Sequence, residues 1–202
     1  MTEVTAPRNL AILLFDDAEV LDFCGPFEVF SVTSNQSPHP SFNVFTVAEK
    51  SPIAARNGLS VNPAYSLESC PKPDILLVPG GIGTRKELNN DVLIHWIRQT
   101  AEAAELVLSV CTGALLLGKA GLLDGLDLTT HHVAYDLLRE IVPSAKVHED
   151  RRFMDNGKII TSAGIAAGID MSLHVVGRLL GLDVATATAH HMEYPFDKEP
   201  NL

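Results

Sequence analysis

Short apolar runs alternate with segments of helical spacing along most of this chain. Apolar runs with branched residues between turn residues are typical of buried strands, whereas apolar residues at every third or fourth position indicate amphipathic helices. This pattern predicts strands over 9–15, 42–48, 75–78, 106–110 and 128–130. It predicts helices over 20–32, 91–104, 134–141, 168–180 and 184–191, with Pro26 tolerable only near the first turn of its helix.

Glycine marks the predicted turns between these elements. Asn57-Gly58 predicts the tip of a small hairpin over 53–61, and Asn156-Gly157 predicts a second hairpin between 153–154 and 159–161. Gly121 predicts the end of the helix that follows residue 111. This alternation predicts an α/β fold, with a mainly parallel sheet and helices on both faces. In such sheets, ligands bind beyond the carboxyl ends of the strands.

Cys111 lies where a predicted strand meets a predicted helix. Small Ser109 before it and Gly113 after it fit the steric demands of a nucleophile elbow, a tight turn that presents one side chain above the sheet edge. The start of the following helix should stabilise a thiolate there and lower the pKa of Cys111. A lone cysteine after an apolar strand is more often a small core residue, but the strand–elbow–helix context favours a catalytic role.

Composition and charge narrow the classes of partner. The chain has 202 residues, enough for one well-buried core, and we treat 1–202 as a single domain. The formal net charge of −10 argues against nucleic acid and anionic membrane surfaces, because both attract clustered Lys and Arg. Three cysteines without metal-ligand spacing predict reduced thiols, no metal site and a cytoplasmic location. We expect neither a membrane span nor a secretion signal.

Gly80 and Gly81 follow the predicted strand 75–78. One interpretation is that these glycines only turn the chain. The other is that the backbone N–H groups of Gly81 and Thr112 together form an oxyanion hole, which stabilises a developing negative charge. A phosphate loop is excluded because no Gly-Lys-Ser/Thr follows, and a dinucleotide loop is disfavoured because the G-x-G-x-x-G spacing is absent. We therefore expect Gly80, Gly81 and Ile82 to contribute to anion stabilisation and substrate binding.

Three motifs carry a family resemblance. They are Leu21-Asp22-Phe23-Cys24-Gly25-Pro26-Phe27-Glu28, Pro79-Gly80-Gly81-Ile82-Gly83 and Ser109-Val110-Cys111-Thr112-Gly113. Together they resemble the ThiJ/PfpI superfamily, whose fold is glutamine-amidotransferase-like, and within it the isonitrile hydratases. The resemblance covers about 9–195, including 129–131 and 161–171. It implies a homodimeric, flavodoxin-like three-layer sandwich with a nucleophile elbow, which acts on a small molecule without a cofactor.

The resemblance also implies roles for single residues. Cys111 matches the nucleophile, Asp22 its acidic partner, Thr112 a supporting residue and the Gly81 backbone the anion-stabilising position. An alternative for Asp22 is the N-cap of a helix. Beside a thiolate the pKa of Asp22 would rise, so that its carboxyl could stay protonated and donate to sulfur.

Among the eight histidines, His131 is the candidate to line the site, because it follows a short strand. His132 follows the same strand and could also approach Cys111. The others are predicted to be solvent-facing, structural, or in packing or dimer contacts: His39, His95, His148, His174, His190 and His191. They form no metal-ligand pattern. In peptidase-like relatives a histidine directly follows the cysteine; here that position is Thr112, which disfavours amide hydrolysis.

Three hypotheses of function follow. The leading one is that Cys111 and Asp22 hydrate an isonitrile to an N-formamide through a covalent thioimidate. The second is glyoxal or methylglyoxal handling by the same thiol and acid, and the third is redox sensing by Cys111. Two departures leave the substrate open: Cys24 within the Asp22 motif, and His131-His132 in place of the hydratases' His-Trp. Sensory domains of some transcription regulators are similar, but 202 residues leave no room for their DNA-binding domain.

Overall fold

Strands and helices alternate along the chain in this computed structural model, which describes residues 6–36 and 40–196. The strands are β1 Arg8–Leu14, β2 Phe42–Ala48, β3 Ile53–Ala54, β4 Ser60–Val61, β5 Tyr65–Ser66, β6 Ile75–Val78, β7 Leu106–Ser109, β8 Asp127–Leu128, β9 Lys146–Val147, β10 Phe153–Asp155 and β11 Ile159–Ser162. The helices are α1 Val20–Asn35, α2 Thr84–Glu87, α3 Asp91–Ala103, α4 Gly113–Lys119, α5 Tyr135–Ile141, α6 Ala167–Leu180 and α7 Leu182–His191. Short 3-10 turns cover Arg56–Gly58 and His132–Ala134.

One sheet of seven strands has the order β10-β11-β7-β6-β1-β2-β5. Its strands pair in parallel, except for the antiparallel hairpin of β10 and β11. Every residue of β6 and β7 is buried, as expected for parallel strands that are covered on both faces. The chain runs from β1 to β2 on one side and later forms β6 and β7 on the other. The topological switch point therefore lies between β1 and β6, where α/β sheets bind ligands.

Helices cover both faces of this sheet. The crossovers through α1 and through α3 run in opposite directions along the sheet, so their right-handedness places these helices on opposite faces. α1, α6 and α7 pack together, while α4 contacts α2, α3 and α5 and packs on β6 and β7. The predicted α/β, flavodoxin-like three-layer sandwich is confirmed. Within the described ranges, none of the helices is both long and apolar enough to cross a membrane.

The local predictions have mixed outcomes. Both hairpins are confirmed: β3 pairs with β4 around Asn57-Gly58, and β10 pairs with β11 around Asn156-Gly157. The prediction for Pro26 is wrong, because it lies buried in the interior of α1. A proline there removes one backbone hydrogen bond, so the helix is held by the packing of its buried face rather than by local preference. The pattern also missed α2, β5 and β9, which are only two to four residues long.

Candidate active site

Cys111 follows β7 with its backbone in the left-handed region, at φ 56°. This conformation is uncommon for a residue other than glycine. Its N–H donates to the carbonyls of Ser162 at 3.2 Å and Ala163 at 3.1 Å. Its own carbonyl accepts a bond of 2.6 Å from Thr130 Oγ1. The predicted nucleophile elbow is therefore present, and contacts from two neighbouring segments hold it.

Asp22 lies fully buried in the first turn of α1, beside Cys111. Its Oδ2 accepts the Gly80 backbone N–H at 2.9 Å, and its Oδ1 has no hydrogen-bond partner of good geometry among the described residues. The alternative of an N-cap is wrong, because Glu19 occupies that position. Burial raises the pKa of Asp22 to about 7; the Glu19 charge adds to the rise, while hydrogen bonds from Gly80 and Cys111 oppose it.

The sulfur of Cys111 does not have the lowered pKa that the sequence predicts. The residue is 5% exposed. Burial raises the pKa of Cys111 to about 12 and the Asp22 charge adds to this, whereas hydrogen bonds from the backbone N–H groups of Thr112 and Ile165 lower it. The expectation is wrong for the free protein because burial beside a carboxylate outweighs these donors.

Asp22 and Cys111 form a coupled pair that holds one proton above about pH 7 and a second proton below it. The proton can sit on sulfur, which leaves a carboxylate, or on the carboxyl, which leaves a thiolate. Both forms carry the same net charge, and transfer of one proton interconverts them. The site can therefore supply a thiolate and a proton donor together.

The Gly80-Gly81 turn is tied to Thr112. The Gly81 N–H donates to Thr112 Oγ1 at 3.0 Å, and the Thr112 hydroxyl lies 3.1 Å from the Gly81 carbonyl oxygen. The predicted oxyanion pair of Gly81 and Thr112 is therefore not formed, because the Gly81 N–H already has an acceptor. The backbone donors that act on sulfur come from Thr112 and Ile165 instead.

A cavity of about 150 Å³ lies beside the sulfur. It is lined by Glu19, Arg56, Gly81, Ile82, Arg85, Cys111, Thr112, His131, Val133 and Ile165. The predicted residues Gly81, Ile82, Cys111, Thr112 and His131 therefore meet in one place, while Asp22 and Gly80 contact the elbow without lining the cavity. A larger cleft of about 720 Å³ lies beside the ends of β1 and β2, but none of the predicted site residues lines it. The volume of the smaller cavity favours a small substrate.

His131 lines this cavity as a neutral side chain. Its Nδ1 accepts the Val133 backbone N–H at 3.3 Å, which assigns the ring proton to Nε2. Burial lowers the pKa of His131, and the charges of His132 and Arg85 lower it further. The ring packs so closely on Gly164 that a Cβ there would lie 2.2 Å from His131 Cδ2. His131 can thus donate one hydrogen bond from a fixed position.

None of the other histidines within the described residues lines this cavity, although the exposed His132 packs on His131 with the ring centroids 4.2 Å apart. His95, His190 and His191 are exposed, so the predicted packing role of the last two is wrong and their dimer contact stays a prediction. His148 Nε2 lies 2.5 Å from Asp127 Oδ1, and His174 Nε2 lies 2.8 Å from Asp155 Oδ2. His39 lies outside the described residues. Within 6–36 and 40–196, no cluster of three or more His, Cys, Asp or Glu side chains could hold a metal ion.

The sequence patterns missed five residues that line the cavity: Glu19, Arg56, Arg85, Val133 and Ile165. Arg56 reaches it because the β3–β4 hairpin folds over the β1–α1 connection, where its N–H donates to the Ala18 carbonyl at 2.8 Å. Ile165 has φ 50°, a second strained position beside the sulfur. Ala163, Gly164 and Ala166 are small residues on both sides of Ile165, and they were the sequence signal for this tight backbone.

This fold and site define a class of α/β proteins that carry a cysteine at a nucleophile elbow beside a buried acid. A family model described as the DJ-1/PfpI family matches residues 8–178. The chain belongs to the DJ-1/PfpI family.

Three relatives illustrate the range of similar proteins. Isonitrile hydratase from Pseudomonas putida is 34% identical over 193 residues, which cover 94% of this chain and 81% of the relative. The HTH-type transcriptional regulator GbdR from Pseudomonas aeruginosa is 25% identical over 93% of this chain, which spans about half (51%) of the regulator's length. The crystal structure of a ThiJ/PfpI family protein from Pseudomonas syringae has a TM-score of 0.85 at 27% identity, covering 98% of this chain and 78% of that one.

Proposed function

We propose that this protein hydrates isonitriles to N-substituted formamides, with Cys111 as nucleophile and Asp22 as acid. The observation that carries the proposal is the Asp22–Cys111 pair, which holds one proton above about pH 7 because burial raises the pKa of Asp22 to about 7 and that of Cys111 to about 12. Hydration of an isonitrile requires a proton and a nucleophile to bond to the same carbon. The similarity to the isonitrile hydratase of Pseudomonas putida supports this choice of reaction.

In the first step, the pair adds across the terminal carbon of the isonitrile. The Asp22 carboxyl gives its proton to that carbon while the Cys111 sulfur bonds to it, and one C–N π pair becomes the nitrogen lone pair. The product is a neutral thioimidate on sulfur and a carboxylate at Asp22. Backbone donors at Thr112 and Ile165 offset the charge of the thiolate before it attacks.

In the second step, water completes the reaction. The Asp22 carboxylate takes a proton from water as its oxygen bonds to the thioimidate carbon, and this proton passes to the substrate nitrogen. The resulting adduct then collapses: the hydroxyl proton goes to Asp22, the C–S bond breaks, and sulfur leaves as thiolate. The formamide is released, and the pair regains its single proton.

Formamide production by purified protein tests this proposal. We expect wild type to convert a small alkyl isonitrile to the formamide, detected by proton NMR, and Cys111→Ala or Cys111→Ser to abolish turnover. Cys24→Ala is the matched control, because Cys24 is exposed on α1 and does not line the cavity; it should retain wild-type turnover. Formamide production by Cys111→Ala, or none by wild type across a set of small isonitriles, would refute the assignment.

Methylglyoxal conversion is the second candidate function. The neutral His131 side chain supports it, since its Nε2–H can donate to a carbonyl oxygen while sulfur forms a hemithioacetal. Parallel incubations with methylglyoxal and with an alkyl isonitrile, in which lactate and formamide are measured, separate the two. Redox sensing by Cys111 is disfavoured because its sulfur is buried and its pKa is raised to about 12. Mass spectrometry after brief treatment with dilute peroxide tests this: rapid and selective oxidation of Cys111 would favour sensing.

We also propose that two copies of the chain associate through the outer face of α1. Leu21 and Phe27 are exposed there at 39% and 36%, with the exposed Cys24 between them. Large apolar side chains on one helix face favour burial against a partner surface. Light scattering after gel filtration should give a dimer for wild type and a monomer for Leu21→Glu/Phe27→Glu; a monomeric wild type would contradict the proposal.

A further inference from the structure

Arg56 and Arg85 both line the cavity of Cys111 without an ion-pair partner. Elsewhere, carboxylates within 4.0 Å pair with Arg8, Arg139, Arg151, Arg152 and Arg178. Within the described ranges, neither Arg56 nor Arg85 has a carboxylate at that distance. The chain holds 25 acidic residues against 15 basic ones, so acidic partners are plentiful. Two unpaired guanidiniums at one small cavity therefore point to an anion that binds from outside.

Contacts within the site hold Arg85 in place. Its Nη1 donates to Thr84 Oγ1 at 3.0 Å, and Thr84 Oγ1 lies 3.3 Å from Thr112 Oγ1, on the residue after the nucleophile. Thr84 is fully buried, so this chain of contacts fixes the half-buried Arg85 side chain at the cavity wall. The Arg85 charge also contributes to the lowered pKa of the cavity residue His131.

Arg56 enters from another part of the fold. It belongs to the 3-10 turn of the β3–β4 hairpin, which hydrogen bonds to the β1–α1 connection through the Ala18 carbonyl. Glu19, the acidic residue in the cavity lining, contributes to the raised pKa of Asp22 and opposes the lowered pKa of His131. Its carboxylate pairs directly with neither arginine. Two cationic groups from different segments thus remain available to one ligand.

We propose that the substrates of this site carry a carboxylate, which Arg56 and Arg85 bind while the reacting carbon lies at Cys111. Guanidinium groups match the geometry of carboxylates and bind them through charge-assisted hydrogen bonds. The cavity of about 150 Å³ limits such a substrate to a small molecule. The identity of the reacting group rests on the proposed hydratase function, which makes small isocyano carboxylates the substrate class.

Turnover of two isosteric isonitriles tests the substrate class. Isocyanoacetate and isocyanoacetamide differ in charge but hardly in size. We expect wild type to prefer the carboxylate about tenfold in kcat/KM, mainly through KM, because the arginines bind a group remote from the reacting carbon. In Arg56→Gln/Arg85→Gln the preference should disappear, whereas the lysine variants at both positions should keep part of it. Equal kcat/KM values for the two compounds in wild type would overturn the inference.

Alkylation of Cys111 tests anion binding without any turnover. Iodoacetate and iodoacetamide are a matched anionic and neutral pair, and peptide mass spectrometry follows their reaction at Cys111. The rate ratio of iodoacetate to iodoacetamide should fall about tenfold in Arg56→Gln/Arg85→Gln, and in wild type it should fall with added salt. Arg98→Gln is the control, since Arg98 donates to the Ala120 carbonyl and does not line the cavity; its ratio should equal that of wild type.

The two assays separate the possible failures. If no isonitrile is hydrated but the alkylation ratio depends on Arg56 and Arg85, the hydratase proposal fails and the anion site stands. If both isonitriles are hydrated equally and the alkylation ratio is the same in the arginine variants, the hydratase proposal stands and the anion site is refuted.

Discussion

Gly80 donates its backbone N–H to Oδ2 of Asp22 at 2.9 Å, a bond that joins the end of β6 to the first turn of α1. The same glycine packs against the elbow: a Cβ on Gly80 would lie 2.4 Å from the Thr112 backbone nitrogen. The acid and the residue after the nucleophile therefore meet at one glycine, at the switch point between β1 and β6. The fold fixes the Asp22–Cys111 pair through its backbone.

The pH dependence of turnover follows from this pair. We predict that kcat/KM rises as pH increases through about 7 and then levels off. Below that pH both groups are protonated, whereas above it the pair holds one proton, because the pKa of Asp22 is raised to about 7 and that of Cys111 to about 12. A pH–rate profile from about pH 5 to about pH 9 measures the inflection.

Asp22→Asn identifies the group that titrates in this profile. The variant should lose about 10²-fold or more in kcat/KM, and its profile should lack the inflection near pH 7, because the amide cannot exchange the proton. An unchanged inflection in Asp22→Asn would assign it to another group and remove Asp22 from the mechanism.

Local signals explain which parts of the fold could be predicted. β1, β6 and β7 each contain a continuous apolar run, and α3 has its apolar residues at helical spacing, so each is evident within a short window. The elbow was predictable for the same reason, since its demands fall on Cys111 and its immediate neighbours. Pro26 was not, because burial of α1 overrides a local rule.

The chemistry of the site depends on contacts between distant segments. The pKa of Cys111 reflects burial and the charge of Asp22, which lies in the first turn of α1. Arg56 reaches the cavity because Asp17 and Arg56 donate to the carbonyls of Ala54 and Ala18, both at 2.8 Å, which folds the hairpin onto the β1–α1 connection. No periodicity or motif within one segment encodes these contacts. The sequence therefore predicted the nucleophile, but neither the raised pKa of Cys111 nor the two arginines that line its cavity.

The same buried acid should reduce stability. Because the pKa of Asp22 is raised to about 7, the folded protein binds a proton that the unfolded chain releases at lower pH. The resulting loss in the free energy of unfolding is absent below the ordinary pKa of aspartate and grows as pH rises. It is complete above about pH 7, where it reaches up to about 4 kcal/mol. Asp22→Asn should therefore raise the free energy of unfolding near pH 8 more than near pH 5, as measured by urea denaturation.

Asp155→Asn is the control, because the pKa of Asp155 is shifted in the opposite direction to that of Asp22. Burial alone would raise the pKa of Asp155, but hydrogen bonds from His174 and Gly157 and the Arg178 charge lower it overall. Its replacement should destabilise the protein near pH 8. Equal stability changes in Asp22→Asn at the two pH values would show that Asp22 does not titrate between them.

Gly80→Ala should damage both the fold and the site. The new methyl would lie 2.4 Å from the Thr112 nitrogen and 2.9 Å from Asp22 Oδ2, so the turn must move. We expect a loss of about 1–3 kcal/mol of stability and a fall in kcat/KM. Gly177→Ala is the control, since its Cβ would meet Ala185 Cβ at an ordinary 3.6 Å; in α6 it should stabilise by about 0.5–1 kcal/mol. Wild-type stability and turnover in Gly80→Ala would contradict the geometry of this turn.

Thr112→Val tests the tie between the elbow and the Gly80-Gly81 turn. Valine matches the shape of threonine but removes the acceptor for the Gly81 N–H, which leaves a buried donor unpaired. We expect a loss of about 1–3 kcal/mol in the free energy of unfolding and a fall in kcat, because the donors around sulfur lose their anchor. Thr112→Ser keeps the hydroxyl and should restore most of both. If Thr112→Val matched Thr112→Ser in urea midpoint and in kcat, the hydroxyl would have no part in holding the elbow.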